Sequence, residues 1–521
     1  MRSRDGWRYA SPRVPRPLAS VVSAIFSLLA QTAFITLPIC LLWRVHTSSW
    51  SRWLQEYQQD IFWPAFPLLR IRLVLLMSDI PRWGLYMALA VPLWTLVRRR
   101  LTSKPANDSG LPLDEVGSRS ERSVPSKHAF LGPFAKKCLY AYTGLVAGGA
   151  FLYSTREYAA DYRYRAVVQT AIQTPRNAGY GDGTKVFIAA MFYNNAAILP
   201  YWTREFTKLI HYLGPDNVFV SVVESNSSDG TAELLDDWQA TLDQLGVQHL
   251  IRTRDTTIKR PADMSTATPR IQFLAETRNL VLAPLIERDG YDIVLFSNDV
   301  LVEADAVVEL LKTNNGEWDM VCGLDLHRWG LYDAWVVRDR LGALVSSLWP
   351  YLLDPVGRQA VINDEPAPVF TCWNGIVAFS ANPFLPPALR TPGRLSTSPL
   401  RNPLPSTHPA YPQPADLSPA QTPALRFRHS TEKECFSAEA FNLPYDLRRQ
   451  FDMQRIYLNP RVINSYERKW YEWYKYKTRH WLVRWWMRYV ERGRGMEEAR
   501  MILGDADKVW RWDGGECHPW W

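Results

Sequence analysis

Residues Asp292 to Val300 read Asp-Ile-Val-Leu-Phe-Ser-Asn-Asp-Val, an apolar run that ends in Ser297, Asn298 and Asp299. Oxygen ligands clustered at a strand's end suit a hard divalent cation, because Mg2+ and Mn2+ prefer carboxylate and carbonyl oxygens and share their shell with phosphates. Asp299 is the best single ligand there, with Asn298 a weaker helper; a plain Asn-Asp turn is the competing reading. A second β-rich run, Asn217 to Glu224, also ends in an acid and continues as Ser225-Asn226-Ser227-Ser228-Asp229-Gly230-Thr231. A carboxylate such as Glu224 can accept from a base or ribose hydroxyl. Ser225 and Asp229 lie in the turn, and the helix that follows offers its N-terminus to an anionic group. Capping of that helix by Asp229 or Thr231 is the bland alternative. Asn226 lies in a formal sequon but is expected bare, because a glycan would block the pocket.

The surrounding pattern must position these groups. Lys185 to Phe192 is a short apolar run read as a buried strand, with Tyr193-Asn194-Asn195 as its turn. Apolar positions at helical spacing over 198–212 lead to the strand at 217–224, which makes a βαβ unit and a parallel sheet. In such sheets ligands bind at the carboxyl ends of strands. A helix is predicted over Ala232 to Leu245 and another near Gln272 to Ile286, carrying Glu276-Thr277-Arg278-Asn279. Arg278 either adds a cation near phosphates or braces the Asp299 strand by a salt bridge; bracing is slightly favoured. Met320 to His327 is a further strand with Asp325 near its end, followed by Trp329, Tyr332 and Trp335, which suit sugar stacking although aromatics are more often core. Asp364-Glu365 precede a strand at Val369 to Thr371 and then Cys372-Trp373-Asn374-Gly375. Ala381 to Leu425 is proline-rich, an insertion or mobile loop centred near 386–424. Core resumes at Leu425 to His429 and at Glu434 to Phe441, which brings His429 as a late metal-ligand candidate and Glu439 as a further acid.

The chain has 521 residues and a formal charge of +8. Residues 1–137 hold nineteen Lys and Arg against eight Asp and Glu, a surplus of +11, so residues 138–521 carry −3. A nucleic-acid binder should place its positive surface on the folded part; here the surplus flanks apolar segments, where cations orient a membrane protein. Leu18 to Trp43 holds no charged residue and exceeds the about 20 apolar residues needed to cross a bilayer. Pro81 to Val97 and Cys138 to Tyr153 are weaker candidates, each equally readable as a buried or interfacial helix. One or three crossings both place everything after Tyr153 on the lumenal side, with 155–184 as a stem and 467–521 as a Trp- and Arg-rich extension. Trp481 to Val490 suits either an amphipathic helix on a membrane or, more plainly, packing against the catalytic body. Of the six cysteines, Cys322, Cys372 and Cys435 fall between 185 and 466, and the sequence does not say which of them pair. No GxSxG or HExxH motif supports a hydrolase.

The order of motifs resembles the GT-A glycosyltransferases: an acid-tipped strand, a Ser-rich turn, an Arg-Asn helix, then a strand ending at the DxD position, here Ser297-Asn298-Asp299. More closely, six blocks resemble the fungal capsule-associated α-1,3-mannosyltransferases, the cryptococcal mannosyltransferase-like family (glycosyltransferase family 69). They are Val186-Phe187-Ile188-Ala189, Glu224 to Thr231, Ala275-Glu276-Thr277-Arg278-Asn279, Ser297-Asn298-Asp299-Val300, Cys322-Gly323-Leu324-Asp325 and Cys372-Trp373-Asn374-Gly375. Where the family has a second cysteine after the late acid, this chain has Ala440. The resemblance spans 185–466 and implies an α/β, mostly parallel GT-A domain behind a membrane anchor, in the secretory pathway and specifically the Golgi. It also implies GDP-mannose as donor, Mn2+ or Mg2+, and retaining transfer to a glycan hydroxyl. On that reading the catalytic acids come from Asp299, Asp325, Glu365 and Glu439, the nucleotide meets Glu224, Ser225, Asp229, Arg278 and Asn298, the metal meets Asp299 and His429, and the acceptor meets Trp373 and Asn374. Another sugar-nucleotide donor, or an inactive scaffold of the same fold, is the alternative, prompted by the single carboxylate at the DxD position.

Overall fold

The computed structural model describes residues 133–264, 267–288, 290–395, 418–430, 437–494 and 496, with short strands at 510–512 and 515–517. All of these belong to the unit Ala65–Trp521. The segments Leu18 to Trp43 and Pro81 to Val97, and Cys435, lie outside the described residues.

The chain enters through α1 (Pro133–Ser154) and α2 (Arg165–Gln173), then alternates β1 (Val186–Phe192), α3 (Leu199–Leu213), β2 (Val218–Glu224), α4 (Thr231–Leu245), β3 (Gln248–Arg252), α5 (Ala267–Glu287), β4 (Ile293–Ser297), α6 (Ala304–Leu311) and β5 (Met320–His327). Short strands β6 (Gly330–Leu331) and β7 (Arg338–Asp339) lead to α7 (Pro355–Asn363), β8 (Ala367–Thr371) and β9 (Ile376–Ser380). After the proline-rich stretch come α8 (Glu439–Phe451), β10 (Ile456–Asn464), α9 (Arg468–Glu472) and α10 (Trp481–Trp486). Among the described residues one ten-stranded sheet runs β3-β2-β1-β4-β9-β5-β10-β8-β7, with β6 on β5.

Strands β3, β2, β1 and β4 pair in parallel, as the βαβ pattern requires. The second half departs from the mostly parallel expectation. β9 inserts between β4 and β5 antiparallel to both, and β8 runs against β10. Four residues separate β8 from β9 in sequence, yet β5 and β10 lie between the two strands in the sheet. β2 is buried along its whole length and β1 is buried but for Met191, which explains their unbroken apolar runs. One face of the sheet packs on α2, α3, α4 and α6. The other packs on α5, α8 and the 331–352 segment. Register puts Phe192 beside Glu224 and Ala190 beside Ser297, so β1, β2 and β4 finish on one edge. Trp202 on α3 fixes that edge: its Nε1 donates to Ser297 Oγ at 2.9 Å while its ring stacks on Phe206.

Residues 155–184, read as a stem, pack into the body. Asp161 is buried in an ion pair with Arg479, and Val168 and Ala171 join the core. The segment after Tyr466 packs there too: Lys475 is buried 3.2 Å from Glu303, and Arg479 reaches Asp364 at 2.9 Å. α10 also leaves Trp481 and Trp485 about half exposed. Cys138 to Tyr153 forms helix as expected, but among the described residues no helix is long and apolar enough to cross a membrane. The feet of the proline-rich stretch are ordered: buried Arg390 donates to the carbonyls of Leu385, Pro419 and Thr422. Cys322 and Cys372 form a disulfide.

Candidate functional site

Three loops meet at the carboxyl edge of β1, β2 and β4. Asn194, at a φ of 54°, donates its N–H to Ser227 Oγ and accepts from the Ser228 N–H with its side chain. Asp229 accepts from the N–H groups of Thr231 and Ala196, each at 3.0 Å, and from the Thr231 hydroxyl. Desolvation raises its carboxyl, but those bonds together outweigh it and hold the group below the usual range. Asp229 therefore ties the first loop to the second just ahead of α4. Glu224 is buried, and its two oxygens accept from the N–H groups of Ser227 (3.0 Å) and Arg254 (2.6 Å). Its carboxylate organises the loop backbone, one N–H on each oxygen. Ser225 is buried at the strand's end, its N–H on the Phe192 carbonyl.

Asp299 follows β4, and Asn195 Nδ2 donates to it at 2.6 Å. Burial pushes its carboxyl up, while Asn195 and the Arg278 charge oppose that shift. Asn298 is turned aside: it donates to the Tyr466 hydroxyl at 2.9 Å and accepts from Trp373 Nε1 at 3.3 Å. Asp325 on β5 is 1% exposed, and neither of its oxygens has a hydrogen-bond partner. Burial, with the charges of Asp333 and Asp299 adding to it, pushes that carboxyl well above the usual range. Asp333, in the turn after β6, accepts the Asn374 N–H at 3.1 Å. Burial pushes it up to about 7, and Glu439 reinforces that shift while Arg278 and Arg338 oppose it. Three carboxylates thus share one electrostatic neighbourhood, each held up by burial, and none of them is in an ion pair among the described residues.

Arg278 braces this floor. It forms a 3.0 Å ion pair with Glu439, both side chains 4% exposed, and lies over the ring of Trp373 at 4.6 Å. The brace runs to α8, not to the Asp299 strand, and it occupies Glu439, the expected catalytic acid. Trp373 is 2% exposed and packed against Phe296 and Phe427, so no ring face is open to an acceptor. Asn374 is fully buried, its Nδ2 on the Gly323 carbonyl and its own carbonyl accepting from Asn464. Gly375 takes a φ of 74° against Asn464, where a Cβ would strike the amide. Trp373 and Asn374 are therefore scaffold, and Asn374 reaches the site through the N–H it gives Asp333. Glu365 is exposed beside Asp364, which Arg479 and Arg484 hold. His429 is exposed, and among the described residues no three His, Cys, Asp or Glu side chains group closely enough to hold a metal.

Asn195, Asp333 and Tyr466 are site residues that motif reading did not single out. The position of Asn195 directly after the central strand was the available signal. Nothing local marks Asp333, whose partner is 41 residues away.

A family model described as Cryptococcal mannosyltransferase 1 matches residues 185–446, half of the chain. The chain belongs to that family. Over 214 residues it is 31% identical to an α-1,3-mannosyltransferase, CMT1, of Cryptococcus neoformans var. neoformans serotype D (strain JEC21 / ATCC MYA-565). That match covers 37% of this chain and 45% of the relative, so under half of the relative's length is spanned. Among solved structures, the mannosyltransferase PcManGT from Pyrobaculum calidifontis, solved with GDP-Man and Mn2+, is 14% identical over 67% of this chain and 77% of that one, with a TM-score of 0.28. GalNAc-T7 with UDP, GalNAc and Mn2+ is 12% identical over 70% and 58%, with a TM-score of 0.29. At such TM-scores these superpositions carry no argument for this chain.

Proposed function

We propose that the protein is a GT-A glycosyltransferase that moves mannose from GDP-mannose to a glycan hydroxyl, retaining configuration and forming α-1,3 linkages. The observation that carries the reading is Asp325, a buried carboxylate with two unpartnered oxygens beside Asp299 and Asp333 at the carboxyl edge of the sheet. Burying charge without a partner is costly unless a ligand supplies one. Family membership supports the sugar chemistry, and the relative's name supports mannose and the α-1,3 linkage.

The donor set suits a hard cation, Mn2+ or Mg2+. Asp299 would be its ligand, with phosphate oxygens completing the shell, since among the described residues no three His, Cys, Asp or Glu side chains group to hold an ion; His429 is exposed. Such an ion, when bound with the diphosphate, offsets the charge of the leaving group. The chain's own residues do the rest. Asn195 orients the Asp299 carboxylate. The loop tied by Glu224 and Asp229 shapes the nucleotide side with backbone groups. Retention leaves two routes, a protein carboxylate as nucleophile or front-face attack in which the leaving phosphate takes the hydroxyl's proton. In the first, Asp333, held by the Asn374 N–H and near neutrality, would take the proton of the attacking hydroxyl. Asp325 faces the sugar between them.

We place the enzyme in a membrane of the secretory pathway, the Golgi in particular, with the catalytic domain lumenal and Leu18 to Trp43 as anchor. A buried disulfide between Cys322 and Cys372 supports an oxidising compartment. The test is GDP release from GDP-mannose by the full chain with Mn2+, against UDP-glucose and UDP-N-acetylglucosamine. Turnover of GDP-mannose alone is expected. Turnover of another donor would keep the transferase and remove the mannosyl reading; inertness of folded protein to every donor, with glycans present, would leave a scaffold.

A further inference from the structure

A row of rings leads away from the carboxylates. Tyr466, whose hydroxyl is held by Asn298, lies 5.3 Å from Tyr332 between ring centres. Tyr332 lies 5.5 Å from His327, and His327 lies 6.1 Å from Trp470. The inner end of the row is tied to the acids, because the Tyr332 N–H donates to the Asp325 carbonyl at 2.9 Å. The outer end is polar as well as aromatic: His327 Nε2 meets Glu467 at 2.9 Å, with the Glu467 side chain 56% exposed. Tyr332 itself is 53% exposed.

Trp470 is half-buried, with the Lys469 ammonium over its ring at 4.7 Å, so Tyr332 is the most exposed ring of the row. A hexopyranose has one face of C–H groups, which lies on an aromatic ring, and an edge of hydroxyls, which needs carboxylate, imidazole or amide partners. A site with that mix of apolar surface and a few placed polar groups is what a sugar ligand selects. Here the mix recurs along the row. Asp325 is unpartnered and buried at one end, an exposed ring stands in the middle, and Glu467 and His327 stand further out.

We propose that Tyr466, Tyr332, His327 and Trp470 form an acceptor track for an oligosaccharide of hexopyranose units, the reacting sugar at Asp325 and the preceding unit at His327 and Trp470. The inference rests on the transferase reading above and deepens it, from a glycan hydroxyl to an extended chain read over more than one sugar.

Titration calorimetry of the full chain with GDP and Mn2+ tests it, using methyl α-mannoside and α-linked mannotriose as probes. The expected result is at least tenfold tighter binding of the trisaccharide. Trp470→Ala should remove that gain and leave the monosaccharide within twofold, while Trp470→Phe restores most of it. Melting temperatures of the variants separate lost contact from lost fold. Equal affinity for the two sugars, no binding of either by folded protein, or an equal loss of both in Trp470→Ala would overturn the track. GDP release from GDP-mannose, measured separately, reports on the donor reading and can succeed while the track fails.

Discussion

Two sets of three aspartates sit at opposite ends of the same sheet, and they are treated oppositely. At the amino ends of β1, β4 and β5, Asp182, Asp292 and Asp319 line a cavity of about 420 Å3. Each has its own cation there: Lys312 at 2.8 Å, Arg394, and Arg455 at 2.8 Å. The hydrogen bond from Lys312, with that from Thr184, holds the Asp182 carboxyl far below the usual range. At the carboxyl end, Asp299, Asp325 and Asp333 have no cation paired to them among the described ion pairs, and burial pushes all three up. A cavity lined by satisfied ion pairs is a well-made surface. A patch of carboxylates raised by burial, one of them with neither oxygen hydrogen-bonded, costs stability and is a candidate place for a ligand. The open cavity is therefore the less informative of the two ends.

The largest break in this comparison comes from Asp299→Asn. It should lower kcat for donor cleavage by roughly 10²–10³-fold, in steady-state GDP release, without lowering the melting temperature, because it removes a buried charge. Next is the brace. Arg278→Met leaves Glu439 buried and unpaired, at a cost of about 3–5 kcal/mol, and the double variant with Glu439→Leu should recover most of that in denaturant titrations.

A pH series sharpens the contrast. Folded Asp333 keeps its proton up to about 7, whereas an unfolded aspartate loses it near 3.9. The native state binds more protons between those values, so the stability Asp333 contributes is full below about pH 4 and is lost as pH rises through about 7. Asp333→Asn should flatten that fall in melting temperatures taken from pH 4 to 8 with chelator present. The smallest effect is expected at the paired end. Asp319→Asn loosens a pair whose Arg455 partner is 57% exposed, at a cost of about 0.2–1 kcal/mol, and donor turnover should not change.

Much of the positioning frame was readable from short apolar runs. β1, β2, β4 and β5 lie within a residue or two of where those runs place them, and Asp299 stands at the tip where a strand-end acid should. What was not readable shares one cause, that it depends on partners distant in the chain. Arg278 meets Glu439 across 161 residues and Asn195 meets Asp299 across 104. Trp373 looks like a sugar platform in a motif, yet Phe296, Phe427 and Arg278 close over it once the chain folds. Glu224 ties down the loop through the N–H groups of Ser227 and Arg254, the second of them 30 residues away. The antiparallel entry of β9 has no signature in its own apolar run, because direction is set by connections and not by composition.

The most direct test is Mn2+ binding in the presence of GDP, measured by titration calorimetry on the full chain and on Asp299→Asn and Asp319→Asn. GDP-dependent Mn2+ binding in the wild type and in Asp319→Asn, lost at least tenfold in Asp299→Asn, is the predicted result. Binding that survives in Asp299→Asn and weakens in Asp319→Asn would put the ligand at the other end of the sheet and contradict the account.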